Sequence, residues 1–220
     1  MSLPNPIIIS LDGNIGGGKS TMLQHMRNTF PEWNFIDEPV DSWMTLKDEN
    51  GKNLLELFYQ DKTRWSYTLQ NCAFITRHKK VKDAVEDWKK RCLTDPTQAK
   101  NNVFITERSV ATDRYVFAEM LRDAGDLNPL EWELYLSWYN VFAELNPINA
   151  VIEVTTPFGI CKDRIAIRGR QGEENIPMTY LEALEQQHRK WLDNTSLPLL
   201  KITSDISELN KVYDFVVSLK

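Results

Sequence analysis

Gly13-Asn14-Ile15-Gly16-Gly17-Gly18-Lys19-Ser20 fits the pattern G-x-x-x-x-G-K-[ST], a turn whose backbone N–H groups wrap around phosphate oxygens. The chemistry this predicts is binding of a nucleoside triphosphate. Glycines allow the backbone to come close to the phosphates. The helix that starts at about Thr21 adds the positive end of its dipole. Lys19 is expected to reach the β- and γ-phosphates and Ser20 to hold Mg²⁺.

Further candidates sit where short apolar runs end. Ligands of open α/β sheets bind beyond the carboxyl ends of the strands. One such end is Asp37-Glu38-Pro39, where Pro39 keeps Glu38 extended. Another is Glu107-Arg108-Ser109. Two carboxylates beside a triphosphate make sense if one supports a cation and the other faces an acceptor hydroxyl. Arg164, Arg168 and Arg170 form a basic cluster, the first two one helical turn apart. On spacing alone they suit either a solvated face or a mobile segment, hinged at Gly169 and Gly172, that closes over transferring phosphates.

These residues need a scaffold. Five short apolar runs read as strands: Ile7–Leu11, Asn34–Asp37, Val103–Thr106, Ala150–Val154 and Leu199–Ile202. Helical patterns lie between them, at Thr21–Thr29, Asn53–Tyr59, Thr63–Lys90, Ser109–Ala124, Pro129–Leu145, Phe158–Arg168, Thr179–Asp193 and Ile206–Leu219. Thr94–Asn102 and Gln171–Pro177 read as loops. The alternation predicts an α/β fold with a five-stranded parallel sheet covered by helices on both faces.

The 220 residues suffice for one such domain, spanning 1–220. The net charge of −5 argues against a broad nucleic-acid or anionic-membrane surface, so anion binding must be local. No apolar run approaches the ~18 residues of a membrane span. With the first strand expected near residue 6, no signal or transit peptide is expected ahead of it, and Cys72, Cys92 and Cys161 form no C-x-x-C pair. The expected setting is a reducing one, the cytoplasm.

Taken in order, the glycine-rich loop, Glu38-Pro39, Arg64-Trp65-Ser66-Tyr67-Thr68-Leu69-Gln70, Glu107-Arg108-Ser109 with Asp113-Arg114-Tyr115, and Arg164 with Arg168-Gly169-Arg170 resemble the deoxynucleoside kinases, in particular their deoxycytidine, deoxyguanosine and deoxyadenosine kinase branch. The resemblance covers nearly the whole chain. It implies a P-loop kinase fold with an arginine-rich lid over about 164–177, ATP or another triphosphate as donor, Mg²⁺, and a small-molecule deoxynucleoside as acceptor. By the same resemblance Glu38 is the general base toward the sugar 5′-hydroxyl, Glu107 supports Mg²⁺, and Arg108 holds the 5′-oxygen and the moving phosphoryl group. Arg164, Arg168 and Arg170 become lid arginines. Tyr59 and Glu173 hold the 3′-hydroxyl, Gln70, Arg77 and Asp113 face the base edge, and Trp43, Phe74 and Phe117 sandwich the base. Adenine recognition is expected from backbone near Asp205 and Ile206. One departure stands out: Gly172 lies where relatives commonly carry an acidic residue, so the assignment to Glu173, with Glu174 adjacent, rests on ungapped counting from Arg170.

A charged Arg77–Asp113 pair, where thymidine-preferring relatives have small or apolar residues, predicts weak use of thymidine and leaves cytosine, adenine and guanine open. The aromatic segment Glu131–Phe142 lies where family members usually form homodimers, and a homodimer is expected. Two other functions fit a phosphate-binding loop. A nucleoside monophosphate kinase needs basic residues where Glu38 stands. A nucleotide-binding switch needs an N-K-x-D string, and Asn210-Lys211 continues Val212-Tyr213 instead.

Overall fold

The computed structural model describes residues 3–173 and 176–220. Its strands are β1 (Ile7–Asp12), β2 (Asn34–Ile36), β3 (Val103–Glu107), β4 (Ala150–Val154) and β5 (Leu199–Ile202). They pair in parallel, in the order β2-β3-β1-β4-β5. The chain leaves β1 for strands on one side of it and returns on the other, so the crevice beyond the carboxyl end of β1 is the place for a ligand. Central strands need apolar residues on both faces, which is why these runs do not alternate with polar residues. The period of two survives in the partners they choose. Ile8 and Phe104 pack against Val81, Val85 and Trp88. Ile9, Leu11, Val103 and Ile105 pack on the opposite face against Met22, Met26, Val212 and Val216.

The helices are α1 (Lys19–Thr29), α2 (Val40–Thr45), α3 (Leu54–Gln60), α4 (Lys62–Thr94), α5 (Val110–Thr112), α6 (Glu119–Asp123), α7 (Pro129–Ala143), α8 (Phe158–Arg168), α9 (Met178–Leu192) and α10 (Leu209–Ser218). Asn53 starts α3 with a capping box: its side chain accepts from the Glu56 N–H while the Glu56 carboxylate accepts from the Asn53 N–H. Asn128 and Glu131 start α7 in the same way.

The expected strands and most helices stand within a few residues of their places. Three differences stand out. Val40–Thr45 is helical where no helix was expected, because six residues carry too little periodicity to read, yet Val40 and Trp43 are buried. Residues Pro96–Lys100, expected as loop, form a 3₁₀ turn whose Gln98 carbonyl accepts from Trp88 Nε1 at 3.0 Å. The helix expected over Ser109–Ala124 is interrupted by a π-helical segment, Asp113–Ala118. Its wider turn brings Arg114 and Glu119, five apart, into a 2.7 Å ion pair.

Candidate active site

The three strand ends meet in one cavity of about 470 Å³. At the end of β1 the loop is built by its own residues. Asn14 Oδ1 accepts from the Ile15 N–H at 2.8 Å, and its Nδ2 donates to the Leu181 carbonyl at 2.8 Å, tying the loop to α9. Gly13 has φ +140°, and a Cβ there would lie 2.5 Å from the Val154 carbonyl oxygen of β4. Gly13 and Asn14 therefore shape the cradle from behind, while Ile15, Gly16, Gly17, Gly18, Lys19, Ser20 and Thr21 line the cavity. Lys19 Nζ donates to the Gly13 and Asn14 carbonyls at 3.1 and 2.8 Å. Burial, with Arg108 adding repulsion, pushes its ammonium down to about 8 against the partial compensation of Glu107, Glu38 and Asp12. Its hydrogen bonds to carbonyls, with no ion pair among the described residues, leave its charge available for phosphate.

At the end of β2, Glu38 accepts from Arg108 Nη1 at 2.8 Å and from Arg77 Nη2 at 3.0 Å. Burial alone would raise its carboxyl. Arg108, Arg77 and Lys19 outweigh burial and hold it well below the usual carboxylate range. Glu38 is thus a nearly buried acceptor held toward its ionised form by the two guanidiniums. At the end of β3, Glu107 Oε1 accepts from Ser20 Oγ at 3.0 Å, across the mouth of the loop. Arg108 follows in the left-handed region at φ +59°, alone among the described non-glycine residues. Such strain persists only where surrounding contacts hold it. Here they are the Arg108 N–H to the Leu11 carbonyl at 3.0 Å and its guanidinium over the Phe117 ring at 4.9 Å. The turn aims the guanidinium back over the cavity, with Nε buried and unpartnered among the described residues.

Arg77 on α4 joins the strand ends. Its Nε donates to Asp113 at 2.9 Å, its Nη1 to the Glu107 carbonyl at 2.8 Å, and its Nη2 to Glu38. Burial raises the Asp113 carboxyl against the pull of Arg77. The pair with Asp113 agrees with the sequence-based expectation; the bond to Glu38 was not foreseen, because 39 residues separate them and nothing local records it. Gln70 lines the same wall, and its Oε1 is buried with no partner among the described residues. A carboxamide left without a partner in a cavity wall is what a ligand's polar edge completes.

Trp43, Tyr59, Phe117 and Glu173 also line the cavity, as do Arg164, Arg168 and Arg170. Phase on α4 decides which side chains face it: Gln70, Ala73 and Arg77 do, at offsets of three and four. Phe74 is a correction. It is fully buried, edge-on to Tyr135 at 5.5 Å, and does not line the cavity, because it stands one residue beyond Ala73 and points toward α7. Asp205 and Ile206 are likewise outside it: Asp205 caps its own 3₁₀ turn by accepting from the Ser207 N–H, and Ile206 points outward, 56% exposed. The neighbouring Ser204 lines the cavity instead and accepts from Arg164 Nη2 at 3.2 Å. Of the lid expected over 164–177, residues 174 and 175, Glu174 among them, lie outside the described residues. Sequence reasoning missed Val40, Leu55, Phe58, Leu69, Ala73 and Tyr180. Ala73 alone had a signal, its place between Gln70 and Arg77 on one helix face.

A family model described as deoxynucleoside kinase matches residues 9–217. Among curated proteins, deoxycytidine kinase 2 of Gallus gallus is 36% identical, over 84% of this chain and 73% of that one. The mitochondrial deoxyguanosine kinase of Xenopus laevis is 34% identical, over 84% and 72%. The deoxycytidine kinase of Homo sapiens is 32% identical, over 86% and 76%.

Proposed function

Since the chain belongs to the deoxynucleoside kinase family, whose enzymes phosphorylate deoxynucleosides, we propose that it transfers the γ-phosphoryl group of ATP to the 5′-hydroxyl of a deoxynucleoside. The observation that carries the reading is the convergence of ionised Glu38, the Gly13–Ser20 loop and Glu107 on one cavity. The loop N–H groups and Lys19 hold the donor phosphates. Glu38 accepts the proton of the 5′-hydroxyl as that oxygen attacks. Arg108 steadies the 5′-oxygen, and Arg164, Arg168 and Arg170 offset the charge of the phosphoryl group in flight. Arg77 keeps Glu38 ionised and aimed.

The donor set suits Mg²⁺. One hydroxyl, Ser20, lies 3.0 Å from one carboxylate oxygen, Glu107, which leaves other positions to phosphate oxygens and water, as this ion prefers. No cluster of three or more His, Cys, Asp or Glu side chains able to hold a metal occurs among the described residues, which fits an ion brought with the donor. When bound, Mg²⁺ offsets charge on the β- and γ-phosphates.

Base choice follows from the far wall. Gln70, Arg77 and Asp113 fill it with donors and acceptors, and a base that leaves them unpaired is rejected strongly. Deoxycytidine, deoxyadenosine and deoxyguanosine are proposed as preferred over thymidine. Trp43 and Phe117 supply the faces against which a base lies, and Tyr59 with Glu173 takes the sugar. A cytoplasmic setting is proposed with this: Cys72, Cys92 and Cys161 are free thiols, suited to a reducing compartment.

We infer a homodimer as well. Leu130, Leu134, Trp138 and Val141 are 44–70% exposed and recur at steps of four, four and three along α7, one apolar stripe facing solvent.

The test is ADP formation with each of the four deoxynucleosides and their monophosphates, with ATP and Mg²⁺. Turnover with one or more deoxynucleosides is expected. Turnover that needs a monophosphate, or none with any acceptor, would overturn the reading.

A further inference from the structure

The tip of the lid is seated on α3. Gln171 Nε2 donates to Glu56 Oε1 at 3.0 Å. The other oxygen of that carboxylate accepts from the Asn53 N–H at 2.8 Å, so Glu56 caps the helix and grips the lid at once. The next residue, Gly172, has φ +94°, and a Cβ there would lie 3.0 Å from the Glu56 backbone nitrogen. That conformation and approach favour glycine. The seat matters because α3 carries Tyr59, and the residue after Gly172 is Glu173.

Glu173 is 5% exposed and lines the cavity near Tyr59, whose phenol burial, then Tyr180 and Glu173, keep protonated. Its two oxygens are both taken, by Arg168 Nη2 and by Arg170 Nη1, the latter at 3.0 Å. The carboxylate that faces the sugar is therefore also the one that neutralises two of the three lid arginines.

We propose that Gln171 and Gly172 are positioning residues that dock the lid on α3, and that the docked Glu173 holds Arg168 and Arg170 until a sugar 3′-hydroxyl engages it. The inference rests on the proposed transfer to a deoxynucleoside. A hydroxyl that donates to Glu173 draws on the negative charge its oxygens share and weakens its hold on the guanidiniums, which then turn to the phosphates. A sugar without that hydroxyl makes no differential contact and leaves the arginines where they are. The 3′-hydroxyl thereby raises the rate of transfer as well as the affinity.

The experiment compares the best deoxynucleoside with its 2′,3′-dideoxy analogue. In the native enzyme, loss of the 3′-hydroxyl should lower kcat roughly tenfold as well as raise KM. In Glu173→Gln, which lacks the holding charge, the two sugars should give kcat values within about twofold of each other. Gln171→Glu sets two carboxylates face to face. It should raise KM for the deoxynucleoside about fivefold and move that of the dideoxy analogue less than about twofold. Combining Gln171→Glu with Glu56→Gln exchanges donor and acceptor and should restore KM, which a loss of general stability would not do. Equal kcat for both sugars in the native enzyme overturns the release. A swap that fails to restore KM overturns the docking. Absence of turnover with any deoxynucleoside is a different failure, removing the functional reading itself and this inference with it.

Discussion

Glu38 shows how much one residue depends on its neighbours. A buried carboxylate left alone would take up a proton and cease to be a base, but Arg108 and Arg77 reverse the sign. Glu38→Gln keeps the shape and removes the base, so kcat should fall ~10²–10⁴-fold with the donor KM nearly unchanged, measured by steady-state kinetics. Because its carboxyl stays ionised across the neutral range, Glu38 should add no acid limb to the pH profile above about pH 5. Lys19 acts at the other end. Its folded value, about 8, lies below the 10.5 of a free lysine, so it sheds its proton as pH rises through about 8. In that window kcat/KM for the donor should drop while kcat at saturating donor holds, since bound phosphates restore the charge; a flat kcat/KM to pH 9 would contradict this. Arg77 lines the wall proposed to face the base and also holds Glu38, so Arg77→Met with Asp113→Ala should lower every rate. The thymidine-to-deoxycytidine ratio should nevertheless rise by about tenfold or more, because the rejecting polar groups are gone. An unchanged ratio would refute the proposed basis of selection.

At the scale of elements, the loop after β1 works because it is clamped on two sides, by Asn14 to α9 and by Gly13 against β4. Gly13→Ala forces a Cβ into the Val154 carbonyl in a backbone conformation that alanine avoids. A loss of about 2–4 kcal/mol is expected. For a chain of this size the melting temperature should drop by roughly 5–15 °C, readable by calorimetry or circular dichroism. The clamp is tertiary, but the loop itself was legible in the sequence because the residues that make it are consecutive. The π-helical segment was not legible, because Asp113, which opens it, answers to Arg77 on α4, a partner 36 residues away.

For the whole molecule, the sheet order places β1 between β3 and β4, so that Glu107 and Arg108 come from one side of the crevice and α8 with Arg164 and Arg168 follows from the other. Helix α7 turns Tyr135 and Trp132 inward and leaves its apolar stripe outside. If that stripe is the seam between two copies, light scattering should give twice the mass of the 25.6 kDa chain. Leu134→Arg with Trp138→Arg should then give a monomer, since buried unpaired charges at a seam are strongly unfavourable. A native monomer would dismiss the seam.

What the sequence settled alone was whatever depends on neighbours in the chain. The glycine-rich loop, the strand-end carboxylates and the α/β alternation are all of this kind, whereas the spacing of Arg164, Arg168 and Arg170 left a solvated face and a closing segment both open. Only the tertiary structure decided that Arg77 would hold Glu38, that Phe74 would turn into the core while Ala73 faced the cavity, and that Gln171 would reach Glu56. The reason is geometric. A single step along a helix turns a side chain by about 100°, and a hydrogen bond between residues scores of positions apart leaves no periodic trace in the chain that makes it.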